Sequence, residues 1–477
     1  MEDTIAAIAT ANGSGGIAVV RLSGADALHI AAKMFVPAGK TAAEDFSPYR
    51  LYPGTIRAEH FTDYGMCVYF RAPHSYTGED VVELHCHGGV EISRGILKRA
   101  FDLGARPAEA GEFTRRAFLN GKLSLAAAEG IADMINASSE SMIRAGYALY
   151  RNELGSRVRA VQEKLTFLLA GIEAGIDYPE EDLQDSLPAL AEIGPRLQAV
   201  CAELGTLQRS YERVGRLVKN GVSVAIAGRP NSGKSSLLNA LLGYDKAIVS
   251  DIEGTTRDIV EGEIQLGGVR FRLYDTAGIR ESGDVIERAG VQKAEALSRG
   301  ADIVLHVVDA SRPLGEEDRG LSAALRREGR LLHLTVFNKC DLAAAKGTPR
   351  EDLSGDGYLE ISAKEGENVG ELLRRLSAAA QDNYSSDSQP VIEERHYRAL
   401  QEASAMLSRA AADAGRIPLD MLTVDISQAW QKLGEITGET ANEEIVNEIF
   451  SKFCVGKWRS AGGGKTGKIE AKRKSTI

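Results

Sequence analysis

Cysteine is scarce in this sequence and none of it is paired. Cys67, Cys86, Cys201, Cys340 and Cys454 stand singly in 477 residues. Such spacing excludes a disulfide framework and a four-cysteine zinc site, and it reads as a reducing, cytoplasmic compartment. Positive charge is also in deficit: 57 Lys and Arg face 67 Asp and Glu, for a net charge of −10. That balance excludes a broad cationic nucleic-acid surface and leaves room for a local patch, or for RNA contact shared with a partner. No uncharged apolar stretch reaches membrane-spanning length, and no basic segment precedes the apolar residues after Met1, so the expectation is a soluble protein with no membrane partner. The trio His85-Cys86-His87 suggests a metal only until strand alternation is applied. The histidines then share one face, the cysteine takes the other, and no further ligand pair lies nearby.

What is present divides along the chain. The length implies about three domains. Residues 1–118 mix strand-like and helical patterns: Ile17-Ala-Val-Val-Arg-Leu22 follows a glycine-rich turn, and Val81–His87 alternates before Gly88-Gly89. This is an α+β domain. Residues 119–214 change to Ala/Leu/Glu-rich helical periodicity, as in Leu123–Ile135, Arg157–Ile176 and Leu190–Arg213. A distinct α/β module occupies 215–383, closed by the polar linker Gln381–Pro390, and helical periodicity resumes over 384–457. The simplest account is one discontinuous helical domain interrupted by an inserted module, because each helical block carries an apolar face needing a partner. Residues 458–477 are Gly/Lys-rich and read as a disordered or vector-derived tail. Gly462–Lys468 imitates a phosphate loop, but it has Ile469 where a Mg²⁺-binding hydroxyl belongs and no strand before it.

The inserted module carries the chemistry. Gly228-Arg-Pro-Asn-Ser-Gly-Lys-Ser235 is a complete phosphate loop between the apolar run Val222–Ala227 and the helix-prone Ser236–Leu242. Its glycines let backbone N–H groups turn toward polyphosphate, Lys234 adds charge, and Ser235 offers a hydroxyl to Mg²⁺. Asn231, Ser232, Gly233 and Ser236 complete the cradle. Val269–Tyr274 reads as a strand paired in a hairpin with Glu263–Leu266 through Gly267-Gly268. It ends at Asp275-Thr276-Ala277-Gly278, where the carboxylate can hold Mg²⁺ through water and the Gly278 amide can bond a γ-phosphate. Asn338-Lys339-Cys340-Asp341 follows the run Leu331–Phe337. Asn338 suits the purine N7, and Asp341 can accept two N–H bonds from guanine that adenine cannot supply. Ser362-Ala363-Lys364 completes the base pocket. These motifs, each at a predicted strand end, select guanine, and the segment resembles the translation-factor-like class of small GTPases.

Two details narrow the mechanism. Ras-like GTPases orient the attacking water with a glutamine after Asp-x-x-Gly, and here that position is Ile279. Glu281, Asp284 and Glu287 in the following acidic segment are the candidates to replace it. Asp251-Ile252-Glu253-Gly254-Thr255-Thr256-Arg257-Asp258 is placed to close over the γ-phosphate, with Thr256 as second Mg²⁺ ligand. Asn231 has an amide oxygen that could hold a monovalent cation beside the phosphates.

Asp3-Thr-Ile-Ala, Gly15–Gly24, Tyr76–Gly89, Gly111–Lys122 and Phe453-Cys-Val-Gly-Lys457, in that order, together resemble the MnmE (TrmE) family of tRNA-modifying GTPases over residues 1–457. The resemblance implies a multidomain α/β and α fold: an α+β folate-binding and dimerisation domain at the N-terminus, a discontinuous helical domain, and an inserted Ras-like P-loop GTPase domain. It implies a homodimer that binds a tetrahydrofolate derivative (5-formyl- or 5,10-methylene-), with Arg21, Glu83, Lys122 and Lys457 as the carried-over contacts. It implies GTP/GDP and Mg²⁺ on Ser235 and Thr256. K⁺ is expected on Asn231 and the loop of Ser250, Ile252 and Thr255, with Glu287 as the water-orienting carboxylate. The implied reaction places an aminomethyl-type (carboxymethylaminomethyl) group on carbon 5 of the wobble uridine of certain tRNAs. A flavoprotein partner, MnmG (GidA), would supply FAD within a heterotetramer or larger complex. Cys454 is either a nucleophile toward pyrimidine carbon 6 or a positional residue beside the folate.

Two other classes make different demands. An RNA- or ribosome-binding assembly GTPase without modification chemistry calls for an RNA-binding module after the nucleotide domain, where helical periodicity stands instead. A folate-dependent transferase with a vestigial GTPase calls for damage at Lys234, Ser235, Thr256 or Asp275, and all are intact.

Overall fold

The computed structural model describes residues 3–11, 13–177, 190–244, 262–275, 300–326, 330–342, 350–351, 353–381 and 391–453. Two compact units divide the chain: residues through Leu123 together with those from Glu443, and Ser124–Asn442.

In the first unit the chain runs β1 (Ile5–Ile8), β2 (Ile17–Ser23), α1 (Ala27–Met34), β3 (Phe35–Pro37), β4 (Leu51–Arg57), β5 (Thr62–Phe70), β6 (Val81–His87), α2 (Val90–Asp102), β7 (Arg106–Pro107) and α3 (Glu112–Leu119). The strands form one sheet in the order β3-β4-β5-β6-β2-β1-β7. Alternation along β2 and β6 buries Val20, Leu22, Val82 and Leu84 against Ile96 and Leu97 of α2. The opposite face carries the cross-strand pair Arg21 and Glu83, directly opposed in the antiparallel register. Sequence periodicity runs the helical half on through Phe453, but by packing the helix Glu443–Ser451 groups with this first unit. Its Phe450 lies 6.2 Å from Phe118 by ring centroids. Gly111, at φ +65°, has no room for a Cβ, which would meet the Phe450 carbonyl oxygen at 2.7 Å.

The second unit combines a helical bundle with a parallel sheet. Helices α4 (Leu125–Ile135), α5 (Glu140–Tyr150), α6 (Glu153–Asp177) and α7 (Leu190–Ser210) precede the nucleotide module. Ser124 Oγ accepts from the Ala127 amide at 3.1 Å and Ser139 Oγ from the Met142 amide at 3.3 Å, so α4 and α5 both begin at side-chain caps. After the turn α8 (Arg216–Asn220) come β8 (Val222–Ala227), α9 (Lys234–Leu242), β9 (Gly262–Leu266), β10 (Val269–Asp275), β11 (Ile303–Asp309), α10 (Glu316–Leu325), β12 (Leu332–Asn338), β13 (Tyr358–Glu360) and α11 (Val369–Gln381). Helices α12 (Glu394–Asp413) and α13 (Leu419–Thr437) return to the bundle. There Leu400, Leu407, Ile426 and Leu433 join Leu165, Leu168, Leu197 and Leu204 in one core. The sheet order is β13-β12-β11-β8-β10-β9, parallel throughout except for the β9–β10 hairpin. Buried on both faces, its central strands read as continuous apolar runs.

Entry to and exit from the nucleotide module meet at one point of the bundle. Lys219, at the end of α8, donates to Asp133 of α4 and to Glu393, which immediately precedes α12. The Asp133 side chain is 7% exposed, against 18% for Glu393 and 31% for Lys219. One ammonium therefore faces two carboxylates in a mostly dry site. No described helix is long and apolar enough to cross a membrane.

Candidate functional site

Every described part of the nucleotide site lies at the C-terminal edge of the parallel sheet, where strands β8, β10, β11 and β12 end together. Gly233, at φ +93°, turns the chain from the loop into α9, and Lys234 opens that helix. Lys234 is buried, and its ammonium donates to the carbonyls of Gly228 and Arg229, each at 2.9 Å. The amides of the first turn of α9, including Ser235 and Ser236, face the loop as an anion-binding helix start. Ser235 Oγ donates to Asp275 Oδ2 at 2.8 Å, which joins the phosphate loop to the end of β10. A hydroxyl beside a carboxylate is the hard-oxygen donor set that suits Mg²⁺.

The segment Asn338-Lys339-Cys340-Asp341 grips the same loop from the other side. Asn338 is buried; its Nδ2 donates to the Ser232 carbonyl at 3.0 Å and its Oδ1 accepts from the Ala363 amide at 3.0 Å. Lys339 stands at φ +69° and donates to the Asn231 carbonyl at 2.6 Å and to Asp309 Oδ2 at 2.7 Å. Asp341 accepts from Ser362 Oγ at 2.6 Å, so the carboxylate that would read guanine is braced by the next motif. Lys364 is exposed and pairs with Glu365 at 3.2 Å. Asn231 stands exposed at φ +64°. Ser250, Asp251, Ile252, Glu253, Gly254, Thr255, Thr256, Thr276, Ala277, Gly278, Glu287, Cys454 and Lys457 lie outside the described residues.

Sequence reasoning assigned nothing to Asp309. Burial works against its charge, but hydrogen bonds from Lys339 and from the Ser311 amide and hydroxyl outweigh it and hold its carboxyl below the usual range. The available signal was its position: an acidic residue closing the apolar run of β11, beside the strand ends that carry the motifs.

In the first unit a second polar site is built around β2 and β6. Arg21 and Glu83 pair at 2.8 Å, and His85 Nε2 lies 3.3 Å from the other oxygen of Glu83. Burial favours protonating Glu83, but His85 and Arg21 overcome it and hold the carboxylate ionised below its usual range. The Arg21 guanidinium stands 5.6 Å from the Tyr76 ring centre and 5.7 Å from that of Phe113, within the reach of a cation–π contact. Tyr76 OH is 2.9 Å from Thr114 Oγ1. Lys122 donates to the Pro73 carbonyl at 3.0 Å and so approaches the same 73–79 loop. A charged pair flanked by two aromatic rings can bind a flat heterocycle with a donor edge. Tyr76 and Phe113 stand in the resemblance motifs, but nothing in sequence spacing put them beside Arg21. Cys86 is buried with its thiol pushed up to about 11, chiefly by burial, while His87 is exposed and meets Asp63 at 2.6 Å. Among the described residues no group of three or more His, Cys, Asp and Glu could hold a metal ion.

Comparison with known proteins matches both units. A family profile described as the MnmE helical domain covers residues 125–454, and one described as the N-terminus of the GTP-binding protein TrmE covers residues 4–122. The chain is 43% identical over 460 residues to the tRNA modification GTPase MnmE of Bordetella petrii, spanning 95% of this chain and 98% of that protein. It is 42% identical over 477 residues to the protein of the same name from Heliobacterium modesticaldum, spanning 95% and 99%. Against that of Symbiobacterium thermophilum it is 40% identical over 476 residues, spanning 96% and 100%.

Proposed function

This chain belongs to the MnmE family of tRNA modification GTPases, and from that premise we propose that it is a potassium-dependent GTPase serving one-carbon chemistry on tRNA. With the flavoprotein MnmG, which brings FAD, a homodimer of this chain adds an aminomethyl-type group to carbon 5 of wobble uridines, drawing the carbon from a tetrahydrofolate derivative. The reading rests above all on one chain holding two built sites of different chemistry: the loop around Lys234, Ser235 and Asn338, and the Arg21–Glu83 pair with its aromatic flanks.

The chain's own groups divide the work. Lys234 and the start of α9 bind the phosphates, and Ser235 with Thr256 would hold Mg²⁺, which neutralises charge on the transferred phosphoryl group. Asn231, with Ser250, Ile252 and Thr255, would hold K⁺, a fixed positive charge where other GTPases insert an arginine. Glu287 orients the attacking water in place of the absent glutamine. Glu83, with Arg21 beside it, accepts from the amidine-like edge of a pterin, while the anionic tail suits the ammonium groups of Lys122 and Lys457. The protein acts in the cytoplasm.

Nucleoside mass spectrometry of tRNA from cells lacking the protein, with and without its re-expression, tests the proposal. Wobble-uridine modification is expected to vanish and return; unmodified levels unaffected by the deletion would favour an assembly GTPase. Re-expression of Glu83→Ala separates the two sites: GTP hydrolysis persists and modification does not.

A further inference from the structure

We propose that Asp309 is a positioning residue for guanine-nucleotide binding: it anchors Lys339, which in turn fixes the phosphate loop at Asn231. The geometry is specific. Strands β11 and β12 pair in parallel register and end together, Asp309 opposite Asn338, and the Ala310 amide closes the pair by donating to the Asn338 carbonyl at 2.8 Å. Lys339, next along, takes a left-handed backbone at φ +69°, an uncommon state for a residue with a side chain. That turn sends its side chain back across the strand ends, where Nζ meets Asp309 Oδ2 at 2.7 Å and the Asn231 carbonyl at 2.6 Å.

Asp309 is itself held at both oxygens. Oδ1 accepts from the Ser311 amide at 3.0 Å and from the Ser311 hydroxyl at 2.6 Å, leaving Oδ2 aimed at Lys339. Its side chain is 14% exposed and that of Lys339 30%, so the ion pair is half-buried. Arg312 Nε lies 4.0 Å from Oδ2. Without the carboxylate, the Lys339 ammonium keeps a single neutral carbonyl and regains rotamer freedom. The Asn231 carbonyl then loses a fixed donor. Asn338, which grips the next carbonyl of the loop, at Ser232, is expected to keep its place. The inference therefore localises the damage to Asn231, and so deepens the reading of Asn231 as a K⁺ ligand, on which its potassium arm rests.

The test uses the full-length protein and measures GDP dissociation constants with a fluorescent GDP analogue, thermal unfolding without nucleotide, and the K⁺ concentration giving half-maximal GTP hydrolysis. Asp309→Ala is expected to weaken GDP binding by about tenfold, as for loss of a charged hydrogen-bond partner, with Asp309→Asn between it and the wild type. Because Asp309 acts through Lys339, the double variant Asp309→Ala/Lys339→Ala should bind GDP no more weakly than Lys339→Ala alone. Half-maximal K⁺ should rise in Asp309→Ala. A GDP constant within twofold of wild type overturns the proposal. So does additivity in the double variant, which would mean that Asp309 acts without Lys339, and so does a loss of nucleotide-free melting temperature that accounts for the weaker binding. If the wild type hydrolyses GTP equally in Na⁺ and K⁺, the potassium reading of Asn231 falls, while the GDP and double-variant arms still decide on Asp309.

Discussion

Replacing Asp133 by Asn should make the protein less sensitive to alkali, although it removes a charge from an apparent salt bridge. Lys219 faces both Asp133 and Glu393, so among the described residues one negative charge at the junction has no positive partner of its own. Burial first and the Glu393 carboxylate second raise the pKa of Asp133, outweighing Lys219, which is itself held charged by the two carboxylates. The sign follows from linkage. An acid whose folded pKa is raised keeps a proton that the unfolded chain releases above the ordinary carboxylate range. Its contribution is full at acid pH and is lost as pH climbs toward the raised value. Each fully retained proton is worth about 1.4 kcal/mol per pH unit. Across pH 6 to 8 the ceiling is about 2.7 kcal/mol, and sharing of the proton with Glu393 reduces the expectation to about 1–2 kcal/mol. Asn holds the neutral form permanently. Urea unfolding of wild type and Asp133→Asn at pH 6, 7 and 8 should show the variant gaining on the wild type at each step. Parallel profiles, or a variant that loses ground as pH rises, would mean that Asp133 is ionised and paired, and would refute the reasoning.

A carboxylate of opposite behaviour lies one turn earlier on α4. Burial opposes the charge of Glu129, but His396 and the Arg395 guanidinium overcome it and bring its pKa to about 2. A depressed acid stabilises above its ordinary pKa and loses that contribution as pH falls, so Glu129→Gln should cost about 3 kcal/mol at pH 7. The gap should narrow by pH 3 in urea unfolding, and a constant gap would assign the effect to packing. Glu287→Ala should bind GTP normally and hydrolyse it at least about a hundredfold more slowly in single-turnover assays; unchanged turnover would move the role to Glu281 or Asp284.

The strand ends of the nucleotide module were legible because a parallel sheet buried on both faces writes each strand as an apolar run. Val222–Ala227 and Leu331–Phe337 are such runs, and the motif residues begin where they stop. The β9–β10 turn was legible too, since Gly267 and Gly268 take φ +57° and +79°. Local pattern could not reveal partnerships across long separations. Lys219 meets Asp133 across 86 positions and Glu393 across 174, and each looks like any helix-surface charge in its own segment. Asp309 escaped for another reason: a lone acidic residue after an apolar run has no motif around it. The Arg21–Glu83 pairing depended on the β2–β6 register, which alternation alone leaves free to slip by two residues.

The geometry locks the Asn338-Lys339 segment and the phosphate loop into one structural unit. Asn338 and Lys339 hold the carbonyls of Ser232 and Asn231, and a Cβ on Gly233 would come within 2.2 Å of Asn338 Nδ2, so neither motif can shift without the other. Strand β10 extends that unity beyond the pocket. At one end Asp275 accepts from Ser235; just before the other, the Gly268 carbonyl accepts from the Ser141 amide of α5 at 3.2 Å, and Gln265 across the turn donates to the Ser138 carbonyl. Between these points β10 is hydrogen-bonded to β8 on one side and β9 on the other. Strand β10 therefore joins the phosphate loop to the start of α5 through one continuously hydrogen-bonded element. Lys219 ties the module to α4 at a separate point, so the module meets the bundle both at the junction and at the hairpin.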